Sequence, residues 1–195
     1  MAELPLPTLV VISGPPGTGK TTLAHALAKE IPCPAICRDE IKEGMAHAQP
    51  GDFQGEQGDP LTVRTVPLFF EVLRVLLAGG VTVIAEAAFQ DRLWRPGLEP
   101  LTELAQLRIV QCHVDHAVSF DRAVRRSADS EHHRRAHGDS TLGKQAEDWA
   151  RAFDSFDRVS IVAPSIDVDT NDGYVPGIPE IIEFVNGRSS DSGAR

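Results

Sequence analysis

Three cysteines, two methionines, two tryptophans and one tyrosine are all that 195 residues carry of those types, and these scarcities remove whole classes of protein. Cys33, Cys37 and Cys112 are odd in number and follow no zinc-site spacing. They read as reduced, mostly buried thiols rather than a disulfide framework. Basic residues are also short, 19 Lys+Arg against 28 Asp+Glu, for a formal net charge of −9. That balance disfavours affinity built on broad contact with nucleic-acid phosphates. No apolar run approaches the roughly 18 residues of a membrane span, and the opening MAELPLPT lacks the basic flank and apolar core of a leader. The expectation is a cytoplasmic protein without a membrane partner.

What the sequence does have is alternation. Of its residues 42% are hydrophobic, enough for one core, and we expect a single domain over 1–187 with a disordered tail over 188–195. Strand-like runs at 8–13, 34–37, 81–87, 107–114 and within 161–169 are separated by stretches of helical period. This is the pattern of βαβ units and a parallel sheet covered on both faces. Residues 47–60, rich in Gly, Asp, Gln and Pro, read as a mobile loop. The helix after it carries Val63, Val66, Phe70, Leu73 and Leu77, with Pro67 either kinking it or opening its main segment.

Between the first strand and the first helix stands Gly14-Pro15-Pro16-Gly17-Thr18-Gly19-Lys20-Thr21, followed by Thr22. Its glycines let the backbone wrap a phosphate chain, and the helix N-terminus adds positive potential. Lys20 is expected to reach the β- and γ-phosphates of ATP, and Thr21 to ligate Mg²⁺. The spelling GPPGTGKT is common in hexameric mechanical ATPases of the AAA+ class. Those machines carry an Asp-Glu pair at the end of an apolar strand, whereas here the comparable VIAEAAF has Glu86 alone.

Strand two runs into Arg38-Asp39-Glu40-Ile41-Lys42. A carboxylate at the carboxyl edge of such a sheet can take the proton of a hydroxyl attacking phosphorus, and Asp39 also suits a helix cap. Arg38 and Lys42 read as substrate contacts, with a solvated surface position equally open to Lys42. Arg122 and Arg125 or Arg126 share one helical face, and their fork geometry suits phosphates, with Arg122 and Arg126 the pair expected at the site. We expect them, with Arg134 and Arg135 nearby, to serve a lid over about 127–140. His132, His133 and His137 invite a zinc reading, but no carboxylate or cysteine set accompanies them at zincin spacing, and a polar lid accounts for them. Thr170 to Pro176 offer turn residues that fit a loop around a nucleotide base. Phe89, Trp94, Trp149 and Phe153 read as core ahead of an acceptor pocket.

With these motifs in hand, the chain resembles the small P-loop kinases related to chloramphenicol phosphotransferase, the zeta-toxin kinases and phage polynucleotide kinase. The resemblance rests on GxxxxGKT, RDEIKEGM and VTVIAEAAF and spans almost the whole chain. It implies an α/β three-layer P-loop fold with a five-stranded parallel sheet of order 2-3-1-4-5 and a helical lid. It further implies Asp39 as general base and Glu86 near the metal and substrate. Two positions depart from the group: Lys42 stands where polynucleotide kinases often have Arg, and Glu86 where many relatives have Asp. The expected activity is transfer of the γ-phosphate of ATP to a small-molecule hydroxyl. A polynucleotide 5′-hydroxyl kinase and a nucleotide-dependent or toxin-like binding module are the alternatives.

Overall fold

The computed structural model describes residues 5–55, 58–138 and 146–187. The expected tail over 188–195 and the end of the expected lid, 139–140, lie outside the described residues. Five strands, β1 (Thr8–Ser13), β2 (Ala35–Cys37), β3 (Val83–Glu86), β4 (Gln106–His113) and β5 (Ser165–Asp169), form one sheet. Their order is β2-β3-β1-β4-β5 and every pairing is parallel. This is the P-loop kinase arrangement the resemblance implied.

Parallel strands joined by helices must hide both faces, so the strands read as continuous apolar runs. Leu9 through Ile12 are fully buried. Odd members Leu9 and Val11 face one core with Val83, Ala85 and Ile109, while Val10 and Ile12 face the other with Ile84, Val110 and Val168. Helices α1 (Lys20–Glu30) and α8 (Ile178–Val185) cover the second face. Helices α3 (Pro60–Ala78) and α4 (Asp91–Leu98), with the 3-10 turn Glu99–Glu103, cover the first.

Helix α3 begins earlier than its apolar period indicated. Asp59 caps it by accepting from the Thr62 backbone N–H at 2.6 Å, Pro60 fills the first turn, and Pro67 is carried inside one continuous helix. Phe89 and Trp94 settle in the core and Trp149 is buried, whereas Phe153 is only partly buried and packs against His116. Phe69, Phe89 and Trp94 pack edge-on or tilted, with centroids 4.9 to 5.9 Å apart; each such pair adds about 0.5–1.5 kcal/mol beyond its area.

The remaining helices lie over the carboxyl edge of the sheet. They are α2 (Arg38–His47), α5 (His116–Asp129), α6 (Glu131–His137) and α7 (Ala146–Asp154). The segment between α5 and α7 thus contains a helix where the sequence showed only charge. Helix α6 rests on α2 and on the loop after it: the Gly55 N–H donates to the Arg135 carbonyl at 2.8 Å, and Ala136 packs with Ala46 and Leu61. The described part of 47–60 is therefore docked against α6, with Phe53 in the same apolar cluster.

Among the described residues no helix is long and apolar enough to cross a membrane.

Candidate functional site

The turn from β1 to α1 is shaped by close approach. Gly14 and Gly17 have φ of +148° and +78°. A Cβ on Gly17 would collide with the Ser119 carbonyl and sit 2.7 Å from its Oγ. The Ser119 hydroxyl donates to the Pro16 carbonyl at 2.8 Å and accepts from Trp149 Nε1 at 3.0 Å. Helices α5 and α7 are thereby fastened to the outside of the loop. No spacing in the sequence pointed to Ser119 or to this use of Trp149; the partners are far apart in the chain.

Helix α1 starts on Gly19 in the left-handed region, with no side chain capping it. Its first N–H groups face a cleft instead of a cap, a ready seat for an anion. Lys20 is buried and its Nζ donates to the Pro15 carbonyl at 2.8 Å. Burial lowers its pKa, opposed by Glu86, Cys112 and Asp39. The Thr18 hydroxyl folds back onto the same Pro15 carbonyl.

Glu86 ends β3 directly beside this loop because β1 and β3 are paired in register, Ile12 opposite Glu86. Its Oε2 accepts from the Thr21 hydroxyl at 3.0 Å. Burial raises the Glu86 pKa, with Lys20 acting in the other direction. Thr21 and Glu86 together offer the hard oxygen pair that a divalent cation such as Mg²⁺ accepts.

Asp39 sits in the first turn of α2, where β2 delivers it to the same edge. Burial would raise its carboxyl, but His137, Arg38 and Lys20 outweigh that and hold it at about 2. Arg38 Nη1 donates to Asp39 Oδ1 at 2.8 Å. The Asp39 side chain remains 45% exposed and so meets solvent as well as the loop. A small cleft of about 100 Å³ joins Lys20, Thr21, Arg38, Asp39, Glu86 and Arg126, with Trp94 at its edge. Trp94 is thus both core and cleft wall.

A larger cleft of about 450 Å³ runs from Gly17, Gly19 and Thr22 to Thr170, Gly173 and Tyr174. The Thr170 hydroxyl donates to the Thr18 carbonyl at 3.0 Å, which ties the loop after β5 to the phosphate loop. A third cleft, about 330 Å³, lies between Thr22, Asp39, Glu43, Arg126 and His133.

The arginines of the 120s and 130s divide. Arg126 reaches all three clefts. Arg122, one turn earlier, donates to the Thr170 and Asn171 carbonyls at 2.6 and 3.3 Å and braces the wall of the large cleft. Arg134 donates to the Ser127 and Ala128 carbonyls at the end of α5, and Arg135 to the Gln49 and Pro50 carbonyls.

Lys42 is not on the surface. It is 1% exposed, and its Nζ pairs with Asp59 Oδ2 at 3.0 Å, outside the clefts. One turn separates it from Asp39, but the side chain is directed to the start of α3.

No carboxylate accompanies the histidines at zincin spacing along the chain, but the fold brings one to them. Glu43 of α2 lies beside His133 and His137 of α6. A sequence separation of 90 hid it.

A family model described as an AAA domain matches residues 9–149. No curated protein matches by sequence. Among solved structures, a candidate kinase from Chloroflexus aurantiacus is similar at 21% identity and TM-score 0.80, over 94% of this chain and 99% of that one. The Mycobacterium tuberculosis APS kinase CysC, solved with AMPPNP and APS, is similar at 12% identity and TM-score 0.60, over 94% and 99%. The tunicamycin resistance protein of Deinococcus radiodurans is similar at 18% identity and TM-score 0.57, over 94% and 96%. At these identities the likeness is one of fold. The match from Leu9 to Trp149 covers most of the sequence, phosphate loop, Asp39 and Glu86 included, and the chain belongs to this AAA domain family.

Proposed function

We propose that the protein is an ATP-dependent phosphotransferase that moves the γ-phosphoryl group to a hydroxyl of a small molecule, such as a nucleoside, a sugar or an antibiotic. The observation that carries this reading is Asp39 sharing one small cleft with Lys20, Thr21, Glu86 and Arg126. A site that only held nucleotide would have no need of a second ionised carboxylate facing the phosphate loop.

In this reading Gly14 through Thr22 cradle the triphosphate, with the uncapped N-terminus of α1 and Lys20 meeting its charge. The large cleft by Thr170 and Tyr174 takes the base and ribose, and Arg122 stiffens its wall. Arg126 meets charge on the transferring group. A Mg²⁺ held by Thr21 and Glu86 would neutralise phosphate charge as transfer proceeds. The acceptor oxygen forms its bond to the γ-phosphorus as the bond to the ADP oxygen breaks, and the acceptor proton passes to Asp39.

A carboxyl held at about 2 is a weak base. Asp39 therefore acts mainly by aiming the hydroxyl, and takes the proton once transfer has made it acidic, as a loose transition state allows. Arg38 fixes the carboxylate and borders the acceptor position. Residues 1–187 act as one domain, with 127–140 as its lid.

The test is ADP release by the full chain with Mg-ATP across a panel of hydroxylated metabolites, antibiotics and a 5′-hydroxyl oligonucleotide. One small acceptor should stimulate turnover and appear phosphorylated by mass spectrometry. Phosphate on the oligonucleotide alone would favour the polynucleotide reading. Turnover that no acceptor changes would overturn transfer altogether.

A further inference from the structure

We propose that Glu43, His133 and His137 form a binding site for a divalent transition metal of the zinc class, which fastens α6 to α2. The three ligand atoms come from elements that the fold brings together, and all lie within 4.8 Å of one another. His133 and His137 are four residues apart on α6, with ring centroids 4.5 Å apart. Glu43 Oε1 stands 3.2 Å from His133 Nδ1 and 3.7 Å from His137 Nε2. Tetrahedral zinc with bonds of about 2.0–2.1 Å sets its ligands about 3.3 Å apart. The two separations bracket that edge.

Hydrogen bonding alone leaves the cluster incomplete. Glu43 and His133 satisfy each other, but His137 Nε2 is buried with no hydrogen bond among the described residues. A buried ring nitrogen without a partner is costly, and a cation among the three atoms would remove that cost. The charge around the cluster suits a metal as well. The nearby cation Lys42 is paired with Asp59, and Asp39 adds negative potential from the same helix.

The other such cluster among the described residues, His25, Cys37 and Glu40, is the weaker candidate. His25 and Glu40 already bond at 2.6 Å and are half-exposed, and burial pushes the Cys37 thiol up, away from the thiolate a metal needs.

Metal at Glu43, His133 and His137 would pin the expected lid one helical turn from Asp39. Cobalt and zinc titrations of the full chain, without nucleotide or Mg²⁺, test the site. Cobalt should bind one to one with the visible absorption of tetrahedral nitrogen and oxygen ligation, zinc should displace it, and zinc should raise the melting temperature. Glu43→Gln, His133→Gln and His137→Gln should each weaken cobalt binding by more than about 100-fold, beyond the loss typical of outer-shell partners. X-ray absorption on the zinc-loaded parent needs no variant and should show imidazole scattering without sulfur. Absence of stoichiometric binding, a sulfur shell lost in Cys37→Ala, or parental affinity in a folded His137→Gln would each overturn the proposal.

Discussion

The Thr21 hydroxyl donates to Glu86 across 3.0 Å, joining the first turn of α1 to the end of β3. The contact follows from sheet register, since Glu86 lies opposite Ile12 and the phosphate loop begins two residues later. It holds a buried carboxylate in place beside Lys20.

Glu86→Gln keeps an oxygen acceptor for Thr21 and removes the charge. Folding raises the Glu86 pKa, so the folded chain binds more protons than the unfolded one above the unfolded pKa, and the ionised side chain costs stability as pH rises. The ligand-free variant should therefore melt higher than the parent at pH 7, with the difference vanishing in acid. Its Mg-ATP affinity should fall. Paired melting curves at pH 4 and 7 with calorimetric titration measure both, and a lower melting point at pH 7 would contradict the burial argument.

Gly17→Ala places a methyl against the Ser119 carbonyl at a φ of +78°. The strain should cost about 1–3 kcal/mol in urea unfolding. It should also loosen the Ser119–Pro16 contact, so that nucleotide affinity drops together with stability.

Lys42→Met separates the substrate contact expected from the sequence from the buried ion pair with Asp59. Removing the lysine from this buried ion pair should cost about 3–5 kcal/mol, read from urea unfolding. The acceptor KM of whatever protein remains folded should be close to parental. A stable variant with a much raised KM would return Lys42 to the substrate site.

The parallel sheet covered on both faces and the phosphate loop were legible because each is local, in apolar runs, helical periods and one dense motif, whereas the strand order β2-β3-β1-β4-β5 is set by non-local pairing and came only with the family resemblance. Asp39 and Glu86 were legible because a parallel sheet collects strand ends at one edge. The destination of Lys42 was not, since it depends on Asp59 capping a helix whose start lay in a stretch read as loop. Helix α6 was missed because its seven residues are mostly charged or His, with Ala136 alone supplying an apolar anchor. Glu43 escaped notice as a partner of His133 because nothing in either segment signals the other.

In the proposed reaction, Asp39 is the residue that turns nucleotide binding into transfer. With its carboxyl at about 2, against 3.8 for an ordinary Asp, Asp39 contributes stability that is present above pH 3.8 and lost as pH falls toward 2. It stays ionised across the working range, so any acidic limb in kcat has another source. Asp39→Asn keeps the shape but puts a neutral amide where the carboxylate aims the acceptor hydroxyl and takes its proton. The decisive measurement is kcat for the acceptor found in the panel, beside Mg-ATP affinity and melting temperature, with Lys20→Ala as the binding-deficient reference. A fall in kcat of about 10²–10⁴-fold with ATP affinity and fold retained is expected; near-parental kcat in a folded, ATP-binding Asp39→Asn would contradict the role of Asp39.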